Sequence, residues 1–119
     1  MSDVRIRRVE SLIRDEISTM IMKGIIKHPN VNTLVSISKV VVSKDLSHAK
    51  LYVSSFESHN KAIKAVSGLN RAAGFIQGVL GKKLHMRTIP KLNFIFDDSI
   101  EHGFEVNKII DEVVTDHES

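Results

Sequence analysis

Seven cations stand between Ser58 and Phe96 without one acid among them: Lys61, Lys64, Arg71, Lys82, Lys83, Arg87 and Lys91. In their midst lies Ala72-Ala73-Gly74. Lysine and arginine neutralise phosphates by Coulomb attraction, and a glycine at a helix start lets a phosphate reach exposed backbone N–H groups. The combination points to a polyanion gripped through its backbone. Lys61, Lys64, Arg71 and the backbone of Ala72, Ala73 and Gly74 form the centre of this reading. Arg5, Arg8, Lys82, Lys83 and Arg87 are its flanking phosphate contacts.

The charge of the whole chain hides this pattern. The 119 residues sum to +3, yet residues 1–96 carry 16 basic against 6 acidic side chains, and residues 97–119 carry 8 acids against Lys108. Such segregation is a pointer to a polyanionic partner. The acidic end is expected to be a solvated cap on a last helix, or a segment competing with the polyanion for the basic face.

Other chemistries find little support. With no cysteine there is no disulfide framework, thiolate metal site or thiol nucleophile, which fits a cytoplasmic protein. No nucleophile elbow, phosphate loop, dinucleotide fingerprint or zinc-protease motif occurs. The six histidines (His28, His48, His59, His85, His102 and His117) are scattered and read as surface residues. Asp97 and Asp98 are the one pair that a small hydrolase could use, although helix capping explains them with less. No metal, cofactor or small-molecule substrate is implied. The longest purely apolar run, Val40-Val41-Val42, is far too short to span a membrane, and the N-terminus lacks a signal peptide's apolar centre. A hydrophobic content of 42% excludes a disordered charged tail and suits one folded domain.

The elements that must position these residues follow from periodicity. Residues 4–22 predict a helix, with Ile6, Val9, Leu12, Ile13, Ile17, Met20 and Ile21 at three- and four-residue steps and Gly24 as its end. Arg5, Arg7, Arg8 and Arg14 lie on its other faces, and arginines in a first turn oppose the helix dipole. Residues 33–42 predict a strand that becomes buried on both faces near its end. A turn at 43–47 joins it to a second strand at 48–56, forming a hairpin.

From residue 60 a helical stripe returns through Ala62, Ile63, Val66, Leu69 and Ala73, then restarts as Phe75, Ile76, Val79, Leu80 and Leu84. Gly74 is expected to break the two helices apart at a kink. Gly78-Val79-Leu80-Gly81 matches a phosphate-clamping G-x-x-G loop in letters only, because Val79 and Leu80 continue the apolar stripe. Phe75, Phe94 and Phe96 fall on core stripes, so recognition is expected to favour backbone shape over stacked bases.

Residues 91–96 predict a third strand, placed by a right-handed crossover parallel to one strand of the hairpin. Asp98 with Glu101 suggests a capping box for a final helix through Ile100, Phe104, Ile109, Ile110, Val113 and Val114. The expected fold is a two-layer α+β domain with helices on one face of a three-stranded mixed sheet.

Arg8-Val9, the run Ser43-Lys44-Asp45-Leu46-Ser47-His48-Ala49-Lys50-Leu51-Tyr52-Val53, Ala72-Ala73-Gly74-Phe75-Ile76, Leu80-Gly81-Lys82, Arg87, Pro90, Leu92, Phe94, Asp97 and Ser99 resemble the bacterial ribosome-binding factor A family. The likeness runs in order from about Arg5 to Gly103. It implies a KH-like domain of the second type in residues 1–103, in which an Ala-x-Gly kink, Ala72 to Gly74, replaces the usual G-x-x-G loop. Residues 104–119 are then an acidic C-terminal helix or tail.

The resemblance further implies a non-catalytic, monomeric assembly factor. Its partner would be 16S rRNA in the free 30S subunit, and its role would be late subunit maturation, rRNA 5′-end processing and growth in the cold. A general RNA chaperone with no preference for the ribosome is the alternative. Two positions depart from the family pattern: His28-Pro29-Asn30 lacks the flanking acid and base, and Glu105 stands where a basic residue is common.

Overall fold

The computed structural model describes residues 2–86 and 88–98. The order is α1 (Ser2–Met22), β1 (Val35–Val42), β2 (His48–Ser55), α2 (His59–Arg71), α3 (Ala73–Leu84) and β3 (Lys91–Phe96), as the periodicity predicts. Arg87, the proposed final helix with its capping box, and the boundary at residues 103–104 lie outside the described residues.

Helix α1 buries Val9, Ile13, Ile17, Met20 and Ile21, a stripe at the helical repeat. Leu12, which the sequence places with them, sits about 100° round from Ile13 and is exposed. The helix stops in a Schellman motif: Ile25 N–H donates to Met20 C=O at 2.9 Å, and Gly24 N–H donates to Ile21 C=O at 3.1 Å. This ending needs a left-handed residue, and Gly24 supplies it with φ +67°.

The sheet has strand order β1-β2-β3, with β1 antiparallel and β3 parallel to β2. Leu51 of β2 faces Val40 on one side and Phe94 on the other, and all three are buried. Each such side chain contributes about 1.5–3 kcal/mol by leaving water. Helix α1 packs on β1, and α2 packs on β2 and β3.

One expectation for β1 is corrected. The register shifts between Ile37 and Lys39, so Ser38 is an inserted residue of a β-bulge. The extra residue moves the alternation by one, and Val35, Ile37, Val40 and Val42 are all buried while Val41 is exposed. The strand is therefore one-faced, and its apparent two-sided burial is the signature of the bulge.

A second correction concerns α2. Its buried residues are Ala62, Ala65, Gly68 and Leu69, and Ile63 is 46% exposed. The helix lies close enough to its neighbours that small side chains face inward. At Gly68 an added Cβ would come 2.6 Å from His28 Nδ1, so the loop before β1 is seated directly on this glycine. His28 is half-buried there, unlike the surface residue expected.

Candidate nucleic-acid interface

Helix α2 is launched by Ser58, whose hydroxyl accepts the Lys61 N–H at 3.1 Å. Lys61, Lys64 and Arg71 are all exposed and follow at intervals of three and seven. At 3.6 residues per turn, these intervals hold them within about a quarter turn of one another. Arg71 stands in the last turn, where a cation complements the helix dipole.

The break between α2 and α3 is at Ala72, not at Gly74. Ala72 has φ −88° and ψ 2°, the bridge conformation open to any residue, and it serves as C-cap of α2 and N-cap of α3 together. Its N–H donates to Gly68 C=O at 3.1 Å, and its C=O accepts Ile76 N–H at 2.9 Å. Gly74 has helical geometry inside α3, so its lack of a side chain serves space, not backbone freedom. Nothing lies within 4 Å of where its Cβ would be.

Alanine is among the poorest N-caps, and α3 begins with no side-chain cap and no acid in its first turn. Ala72 and Ala73 are half-buried against the core, whereas Gly74 is exposed. Gly74, Gly78 and Lys82 then follow at four-residue steps along one face of α3, and a Cβ at Gly78 would also meet open space. Lys83 is exposed about 100° away on the helix. Residues 78–81 are continuous helix with Leu80 buried, so they form no phosphate-clamping loop.

Arg5 and Arg8 are exposed on α1, apart from this stripe in the chain. Arg14 and Asp15 form an ion pair at 3.7 Å. The lysines and arginine of α2 and α3 are not engaged by described acids. Asp97 is not a bare catalytic carboxylate: it accepts a hydrogen bond from the Ser38 hydroxyl, and its N–H donates to Val53 C=O at 2.8 Å. It joins the end of β3 to the bulge of β1. No cluster of three or more metal-ligating side chains occurs among the described residues, and no described helix is long and apolar enough to cross a membrane.

The family model for ribosome-binding factor A matches residues 5–110. The chain belongs to this family. A ribosome-binding factor A of Treponema denticola is 51% identical over 110 residues, covering 92% of this chain and 83% of the relative. The crystal structure of ribosome-binding factor A from Thermus thermophilus has the same fold, with a TM-score of 0.65 at 24% identity over 76% of this chain and 93% of that one. A homology model of the Thermus thermophilus factor, fitted into a cryo-electron microscopy map of a 30S complex, has a TM-score of 0.57 at 22% identity, covering 78% of this chain and 91% of that one.

Within this ribosome-binding factor A fold, sequence reasoning missed an exposed aromatic beside the kink. Periodicity places Phe75 in the core, but it is 53% exposed, next to Gly74, whereas Phe94 is buried. Phe56, at the end of β2, is 81% exposed. The signal that could have found this is the pair Phe75-Ile76: adjacent helical residues point about 100° apart, so only one can face a narrow core.

Proposed function

We propose that this member of the ribosome-binding factor A family acts as a non-catalytic assembly factor of the bacterial cytoplasm, binding 16S rRNA of the free 30S subunit late in maturation. It works as a monomer without a cofactor, and supports 5′-end processing of the rRNA and growth in the cold. The observation that carries the reading is the exposed stripe of Lys61, Lys64 and Arg71 leading onto the uncapped start of α3 at the open Gly74. Phosphate contacts there place an RNA backbone without reading its bases. The factor then biases rRNA between conformations by binding one better than another, because a ligand shifts an equilibrium only by its differential affinity.

The test is co-sedimentation on a gradient that separates free small subunits from complete ribosomes. Association confined to free small subunits is expected. Even distribution over every RNA-bearing fraction would favour a general RNA chaperone. If about six phosphates are neutralised, log affinity should fall against log salt with a slope of roughly −4 to −5. A flat salt response, or wild-type binding by a Lys61→Glu, Lys64→Glu, Arg71→Glu variant, would overturn the proposed contacts. Full complementation by an Asp97→Asn, Asp98→Asn variant would dispose of a hydrolase.

A further inference from the structure

We propose that the groove between α1 and the outer edge of β1 is a second phosphodiester site, so that one domain holds two RNA segments, one at each edge of its sheet. This rests on the rRNA-binding reading above and adds a second contact to it. The groove has a volume of about 300 Å³ and is lined by Arg7, Glu10, Ser11 and Arg14 from α1 and by Ser38, Lys39 and Val40 from β1. By the roughly 30 Å³ that a water occupies in the liquid, it has room for a phosphate group with its water shell.

Three cations line this hollow against one lining acid, Glu10, and the Asp97 carboxylate reaches the lining Ser38 from the end of β3, so cations are in excess. Glu10 Oε2 accepts the Val42 N–H at 2.8 Å, which holds the carboxylate towards the far end of β1. The Arg14–Asp15 contact is long and exposed, a pair of the kind that contributes little. Arg7 and Lys39 have no ion-pair partner among the described residues. Three like charges around one hollow repel one another unless an anion joins them, and the guanidinium fork matches a phosphate with two parallel hydrogen bonds.

The bulge belongs to the same site. The register shift at Ser38 lies in the ladder between β1 and β2, where the Ser38 hydroxyl donates to Tyr52 C=O at 3.2 Å and to Asp97, and it places Ser38 and Lys39 in succession on the lining of the groove. On α1, Arg7, Ser11 and Arg14 share one face at intervals of four and three, while Arg8 lies about 100° from Arg7. The groove therefore uses arginines other than the Arg5 and Arg8 that the sequence nominates.

The two sites are separate. The kink is tied to the outer edge of β3, where the Asn70 side chain bonds the Phe94 backbone. The groove is at the outer edge of β1, with β2 between them, a distance of at least two strand spacings or about 10 Å.

Titration with a short single-stranded RNA at low salt, read by native mass spectrometry and calorimetry, tests this. The wild type is expected to bind two strands, and donor- and acceptor-labelled strands are expected to give energy transfer on one protein. An Arg7→Gln, Arg14→Gln, Lys39→Gln variant should bind one strand and lose the transfer, with its thermal unfolding preserved. An Arg7→Lys, Arg14→Lys variant should recover the second strand. Lys61→Gln, Lys64→Gln, Arg71→Gln should also bind one strand, by the groove.

One strand on the wild type would overturn the inference, as would two on the groove variant. If the groove variant keeps two strands but loses co-sedimentation with small subunits, the groove binds an acidic protein surface and the RNA assignment is wrong. Failure of the wild type to bind RNA or small subunits at all would instead refute the function proposed above.

Discussion

The two edges of the sheet are closed in different ways. At β3, the Asn70 amide donates to Phe94 C=O at 2.9 Å and accepts Phe94 N–H at 2.8 Å. One neutral side chain thus stands in for a missing strand. At β1, a single carboxylate, Glu10, caps one N–H, and the strand then bulges and faces a groove rimmed by cations. An unpaired edge invites another chain to pair with it. The β3 edge meets that hazard with satisfied hydrogen bonds. The β1 edge meets it with charge and a bulge, which deter a neighbouring strand and leave a surface that attracts phosphate. Closing an edge with neutral bonds favours stability, whereas closing it with an excess of cations leaves capacity for a ligand.

Asn70→Ala breaks this comparison most directly, because it strips both partners from Phe94 in a half-buried setting. A loss of about 2–3 kcal/mol in urea unfolding is expected. Gly74→Leu separates binding from folding: the site is helical and open, so stability should be unchanged or slightly raised, while rRNA affinity falls about tenfold or roughly 1.4 kcal/mol. Unchanged affinity in a filter-binding assay would mean that the open start of α3 is only packing. Glu10→Ala removes a single bond at the β1 edge and should reduce stability by about 1 kcal/mol. Freed of its acid, the groove should bind RNA more tightly, not less.

The smallest effect concerns the turn that both edges share. Hydrogen bonds from the Ser47 and Ser43 hydroxyls and from the Ser47 N–H hold the Asp45 carboxyl below its ordinary 3.8, at about 2. Ser47 C=O also accepts the Lys91 N–H at the start of β3. Since the folded value is the lower one, the carboxylate's contribution is present above about pH 4 and is lost as pH falls through about 2. Thermal unfolding across that window should show a small decline that Asp45→Asn flattens.

The fold was legible because the order of its elements is written in local periods. The switch from helical to alternating spacing after Asn30, and back again near residue 60, marks boundaries that the structure keeps within a few residues. Gly24 was legible as a helix end because a left-handed cap favours glycine. The candidate site was legible as composition, an acid-free run of cations around Ala72-Ala73-Gly74, but not as geometry. The stripe through Ile63 and the exposure of Phe75 escaped the sequence because periodicity sets the spacing of a stripe and not its phase. Ala65 and Gly68 take the inner positions of α2 only because the sheet and His28 come so close.

By itself, then, the sequence determined the order of the described helices and strands, the acid-free run of cations over residues 58–96, and membership of a family. These depend on neighbours along the chain or on letters that a family shares. Only the tertiary structure decided that β1 bulges at Ser38, that Asn70 closes the edge of β3, that Phe75 is exposed, and that Arg7, Arg14 and Lys39 meet around one groove. Each of these depends on the approach of residues distant in sequence, where a one-residue slip or an ångström of separation changes which side chain faces the core and which faces a ligand.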